Sequence, residues 1–172
     1  MKNENSFTSI PLLCRADSSL IDYWLRQHPS AMFVTVLPLL ILSCGIYGGT
    51  LGMWHNAEMS LYVAIKFPLA ILITLSITTL INGIIAMMTG SGISLRQSLQ
   101  FLLIGFAIFG IILASLSPVL FFMNFNAPGP GEPGMAQAYR VFLTTNVCII
   151  AFAGFLSFHI LLRHVRSFSV TK

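Results

Sequence analysis

Acidic side chains are almost missing from this chain, with five Asp and Glu in 172 residues, and charged residues of both signs reach only 8%, against about 25% in an ordinary soluble domain. That shortage excludes a water-soluble monomer. With 56% hydrophobic residues and a mean hydropathy of +0.86, there is too little polar surface to cover a compact globule. Cysteine is thin too. Cys14, Cys44 and Cys148 are an odd, scattered set without CxxC spacing, so no disulfide framework is implied, and a thiol inside an apolar run behaves as a small hydrophobe. The first fifteen residues lack the uninterrupted apolar stretch of ~7–15 residues that a cleaved signal peptide needs. What the chain has instead is long apolar runs, which make it an integral membrane protein and leave its first span to act as the insertion signal.

Catalytic signatures are absent as well. There is no HExxH for zinc, no pair of aspartates within the apolar runs and no GxSxG serine with a histidine partner. His28, His55, His159 and His164 are dispersed and no carboxylate accompanies them at ligand spacing. None of the acidic residues falls in an apolar run, which argues against proton-coupled transport, since that chemistry uses buried carboxylates. His159 lies one helical turn from Arg163 and suits lipid headgroups as well as any other role. The expectation is a protein that is not an enzyme and needs no cofactor or metal. Its basic pI, about 9.3, comes from residues beside helix ends, which fits a lipid surface and not nucleic acid.

Four runs are long enough to cross a hydrocarbon core, which takes about 20 apolar residues: Ala31–Gly52, Phe67–Met88, Ser98–Met123 and Val141–Leu162. The third holds sixteen Leu, Ile, Phe or Val residues, worth about −5 to −10 kcal/mol of insertion free energy before its polar residues are subtracted. The second is the least sharply bounded. Apolar character already begins at Met59, Lys66 interrupts it, and Pro68 follows. A helix from Met59 to Met88 would be ~45 Å long against a ~30 Å core, so it must bend, tilt or lie partly in the interface; a re-entrant Met59–Ile65 is the alternative. The fold class expected is all-α, a four-helix membrane bundle with an interfacial helix before it. Residues 1–30 form a flank, 31–163 the membrane domain and 164–172 a basic tail, and no internal repeat is visible.

Lys2, Arg15, Arg26, Arg96, Arg163, Arg166 and Lys172 flank one side of this layout and only Lys66 and Arg140 the other. The positive-inside rule therefore puts both termini in the cytoplasm, as in a protein of a bacterial inner membrane. Residues 17–28, DSSLIDYWLRQH, place Leu20, Ile21, Trp24 and Leu25 on one helical face and predict a short surface helix, either a docking or lipid-sensing device or a simple anchor. Trp24, Lys66, Arg163 and Arg166 are the expected interfacial anchors. Between spans three and four, Asn126–Gly134 (NAPGPGEPG) is too rich in Pro and Gly for regular structure and reads as a solvated link or a recognition loop. Ser94 and Gln97 have capping-box spacing for the start of span three.

Two features inside the spans stand out. Gly45, Gly48, Gly49 and Gly52 form two overlapping GxxxG pairs, which let another backbone come close, either within the bundle or in an oligomer. Thr74, Thr78 and Asn82 stand four apart on one face of span two, either as hydrogen-bonding glue between helices or as the lining of a pore. Asn82 is expected to need a partner within the protein, and Thr144, Thr145 and Asn146 of span four are candidates to pair with that stripe.

The closely spaced spans after a cytoplasmic flank, the Tyr47-Gly48 pair in the first hairpin and the Lys66-Phe67-Pro68 approach to the second span give the membrane part, about residues 30–165, a layout that resembles the Yip family of small polytopic membrane proteins. That family usually has five spans and a longer cytoplasmic N-terminal region, against the four spans seen here. The resemblance implies a non-enzymatic protein that assembles with itself or with membrane partners. The sequence thus leads to a scaffold, anchoring or assembly component, expected as a homo-oligomer or with a membrane-protein partner in the lipid bilayer. A small oligomeric pore or transporter lined by Thr74, Thr78 and Asn82 is the alternative.

Overall fold

The computed structural model describes residues 29–89, 95–128 and 132–170, with side chains from 32 to 162. Four helices account for nearly all of them: α1 (Pro29–Gly52), α2 (Ala57–Met88), α3 (Leu95–Phe125) and α4 (Met135–Val170). Each is long and apolar enough to span a membrane, and no strand occurs among the described residues. The surface helix expected over 17–28, with Trp24, and the Ser94 cap lie outside the described residues, as do the side chains of Arg163 and Arg166.

Helix α2 follows the longer reading of the second run: it extends unbroken from Ala57, ten residues before the expected span edge at Phe67, so Met59–Ile65 belongs to the same helix and is not a separate re-entrant piece. Asn56, in extended conformation, caps it by accepting a hydrogen bond from the Met59 amide at 2.7 Å, and Glu58 in the first turn suits the positive end of the helix dipole. Lys66, a good helix former, continues the helix, and its ammonium reaches back one turn to lie 5.4 Å from the Tyr62 ring centroid, the direction in which helical side chains lean. Helix α4 likewise starts earlier than expected, at Met135, after Gly134, whose φ of +93° is a conformation glycine adopts without strain.

Prolines interrupt three of the helices without ending them. At Pro118 the carbonyl of Ala114 loses its usual donor, and the Ser117 hydroxyl supplies one at 2.8 Å. At Pro68 the freed carbonyl is that of Ala64, which faces Gly45.

Helix α3 is the centre of the bundle. Half of its membrane window is buried, against 17% for α2 and for α4. Helix α1 packs on both α2 and α3, and α4 packs on α3. One face of α1, Met32, Val36, Leu40, Cys44 and Tyr47, is fully buried at the three- and four-residue spacing of an apolar stripe. Gly110 lets α3 approach it: a Cβ there would stand 3.2 Å from Cys44 Sγ and 3.4 Å from Leu40 Cδ1. The core divides along the bundle axis. Met32, Val36, Leu103, Ile104 and Ala107 fill the end that carries the termini. Tyr47, Leu113, Leu120, Phe142 and Ala153 fill the half nearer the α1–α2 turn.

Candidate functional site

The four glycines of α1 lie on its contact with α2. A Cβ at Gly52 would come within 2.6 Å of the Met59 carbonyl oxygen and 2.7 Å of Ser60 Cα; one at Gly48 would come within 2.8 Å of both Phe67 Cβ and the Val63 carbonyl oxygen. At Gly45 and Gly49 the nearest atoms are an ordinary 3.5 and 3.7 Å away. The missing side chains also let Ser60 Oγ donate to the Gly49 carbonyl at 2.8 Å across the helix pair. Both GxxxG pairs are therefore occupied by the chain's own second helix.

At the turn end, three helices are tied by polar groups that no periodic pattern marks. Tyr47 of α1, fully buried, donates its hydroxyl to Asn146 Oδ1 of α4. Asn124 of α3 donates its amide to the Thr50 carbonyl of α1, and its own Oδ1 is buried without a partner among the described residues. Trp54, in the turn after α1, stacks on Phe142 with ring centroids 4.8 Å apart and meets Tyr139 at 5.8 Å. The expectation that Asn146 would serve the polar stripe of α2 is corrected here. Asn146 lies eleven residues into α4 and Asn82 twenty-five into α2, so with both helices starting at the same end they stand ~20 Å apart along the axis.

The α2 stripe itself separates into two environments. Thr74 is exposed and donates to the Ala70 carbonyl of its own helix at 2.9 Å; Ser76 and Thr79 do the same to Leu72 and Leu75. Thr78 and Asn82 instead line a groove of about 420 Å³ between α2 and α4, floored by α3. Neither has a side-chain hydrogen bond to any described residue, although Asn82 was expected to find a partner inside the protein. The reason is the path of α4: it follows α3 and does not close on α2, so the side of α2 next to the core stays open.

The groove has one polar wall and aromatic flanks. Opposite Asn82, Ser157 of α4 donates to the Gly105 carbonyl of α3 at 2.6 Å, which fastens α4 where a glycine allows contact. Phe106, Phe109 and Phe158 make up much of the rest. Helix α3 is thus enclosed by α2, α1 and α4 in turn and open on its remaining side. Sequence reasoning found Thr78 and Asn82 but missed Ser157 and Asn124, whose only signal was a polar residue in an apolar run, and it noted Tyr47 beside Gly48 without its bond to Asn146.

His159 is exposed and stacks on Phe155 at 6.5 Å. Among the described residues no group of three His, Cys, Asp or Glu could hold a metal ion. Cys44 is buried and Cys148 is exposed on α4, both as free thiols. No family model, no curated protein and no solved structure matches this chain.

Proposed function

We propose that this protein is a non-enzymatic assembly or scaffold component of its membrane, and that it works by docking a transmembrane helix into the groove beside α3. The observation that carries the reading is the pair Thr78 and Asn82, two polar groups in a membrane span that line an open groove and have no partner among the described residues. In lipid an amide gains most when another helix supplies its hydrogen bonds. The Yip-like layout points to the same class. Seven basic residues flank the end that carries the termini and two lie toward the other, which supports an inner-membrane protein with both termini cytoplasmic.

A pore is the weaker reading. It needs a polar path through the whole core, whereas Thr78 and Asn82 span only ~6 Å of helix, Thr74 is bonded to its own backbone, and the groove is otherwise largely aromatic and aliphatic. The test is Asn82→Leu. Because Asn82 is exposed and bonds no described side chain, the variant is expected to fold with unchanged stability and to lose its complexes in native mass spectrometry from nanodiscs. Unchanged complexes would overturn the docking reading, and unchanged complexes with altered ion flux in proteoliposomes would favour the pore.

A further inference from the structure

The occupant of the groove follows from depth and symmetry. Lys66 is the one charge on α2 beyond its first turn, and the stretch after it, Phe67–Met88, has 22 residues, or ~33 Å, the thickness of a hydrocarbon core. On that scale Asn82 lies ~9 Å and Thr78 ~15 Å inside the Met88 edge. Lipid ester groups sit at the edge, so an acyl chain filling the groove would offer only methylenes at these depths. It would cover the aromatic walls and leave the amide and hydroxyl unmet.

A helix that fills the groove must therefore bring a donor and an acceptor to the same two depths. Copies of this chain insert in one orientation, so the two-fold axis of a dimer runs along the membrane normal and every residue meets its counterpart at its own level. An amide carries both donor and acceptor. Asn82 can thus be answered by Asn82 of a second copy, each amide NH₂ donating to the other's Oδ1, and Thr78 by Thr78 one turn deeper. Gly154 on the α4 wall, where an added Cβ would meet nothing nearer than Phe109 at 4.0 Å, leaves room for a backbone to come close, whereas Gly105 and Ser157 are taken up by the α3–α4 contact.

We infer that the groove is the homodimer interface, in which α2 of a second copy lies between α2 and α4 of the first and reciprocal Asn82 amide bonds close the contact. This rests on the docking reading above and adds the identity of the docked helix. Since the arrangement is isologous, each copy both fills a groove and is filled. The dimer covers the open side of α3 in both.

The test uses the full chain in native membranes with p-benzoylphenylalanine placed at Phe158, which is exposed on the groove wall, and, as a control, at Ile73, on the opposite side of α2. Irradiation is expected to give an adduct of twice the chain mass from position 158, joined to a peptide of α2, and none from position 73. An adduct with a different protein overturns the second-copy inference and leaves the docking reading standing; adducts with lipid alone overturn both. In a lipid-dilution series, Asn82→Leu is expected to weaken dimerisation about 5- to 30-fold, with Asn82→Gln, which keeps both halves of the amide, closer to the parent. Equal dimerisation of all three would refute the reciprocal amide pair.

Discussion

The two overlapping GxxxG pairs of α1 are equivalent by spacing and unequal in space, and alanine substitution separates them. A methyl at Gly52 would have to move from 2.6 Å off the Met59 carbonyl to an ordinary contact of about 3.5 Å, so the helices must part by about 0.9 Å there. The obstacle is backbone, which cannot rotate aside. The same separation one turn away would stretch the 2.8 Å Ser60–Gly49 bond past hydrogen-bonding range. Overpacking of this kind costs about 1–3 kcal/mol and the lost bond about 0.6 kcal/mol, while alanine returns about 1 kcal/mol of helix propensity. Gly52→Ala, and Gly48→Ala by the same argument, should therefore lose about 0.6–2.6 kcal/mol net. Gly45→Ala and Gly49→Ala meet atoms no nearer than 3.5 Å and should be neutral or gain up to about 1 kcal/mol. Reversible unfolding in bicelles against detergent fraction measures all four. If the two pairs change stability with the same sign and size, the α1–α2 contact described above is wrong.

Two further outcomes can be checked independently. A double-mutant cycle between Tyr47→Phe and Asn146→Ala should give a coupling of about 0.6 kcal/mol, with about 1.7 as the upper bound for such bonds in membranes; zero coupling would mean that the hydroxyl and the amide do not meet. In a Trp24→Phe background Trp54 is the sole tryptophan, and Gly52 beside it packs at the level of Ser60, six residues or ~9 Å outside Lys66. Its fluorescence should be quenched more by lipids brominated near the headgroup than by lipids brominated at the chain ends, and the reverse order would move the whole turn end into the hydrocarbon.

Membrane class and the number of spans were legible in the sequence because hydropathy integrates over twenty residues, and no local detail overturns such a sum. Helix ends were legible less evenly. The apolar run from Met59 came within two residues of the start of α2, with Lys66 marking only the expected span edge, whereas α4 begins six residues before its expected span, at Met135. The glycine face of α1 was visible, but spacing alone does not name the partner; that depended on the α1–α2 turn being only four residues long. Tyr47 and Asn146 are 99 positions apart, and nothing periodic links a tyrosine in one span to an asparagine in another. The α2 stripe shows the opposite limit. Its four-residue spacing correctly placed Thr78 and Asn82 on one face, but whether that face is covered depends on the course of α4.

The close contact of α1 and α2 also bears on how the protein is made. Its two helices are adjacent in the chain, are joined by the turn at residues 53–56 and hold each other through glycines and the Ser60–Gly49 bond, all of which exist once residue 68 or so has left the ribosome. Contacts that are local in sequence form early and at little entropic cost, and synthesis runs from the N-terminus. The first hairpin can thus pair while α3 is still being translated. Helix α3, the most buried of the four, then arrives against a template already assembled, and α4 is the last to be fastened, through Ser157 at one end and Asn146 at the other.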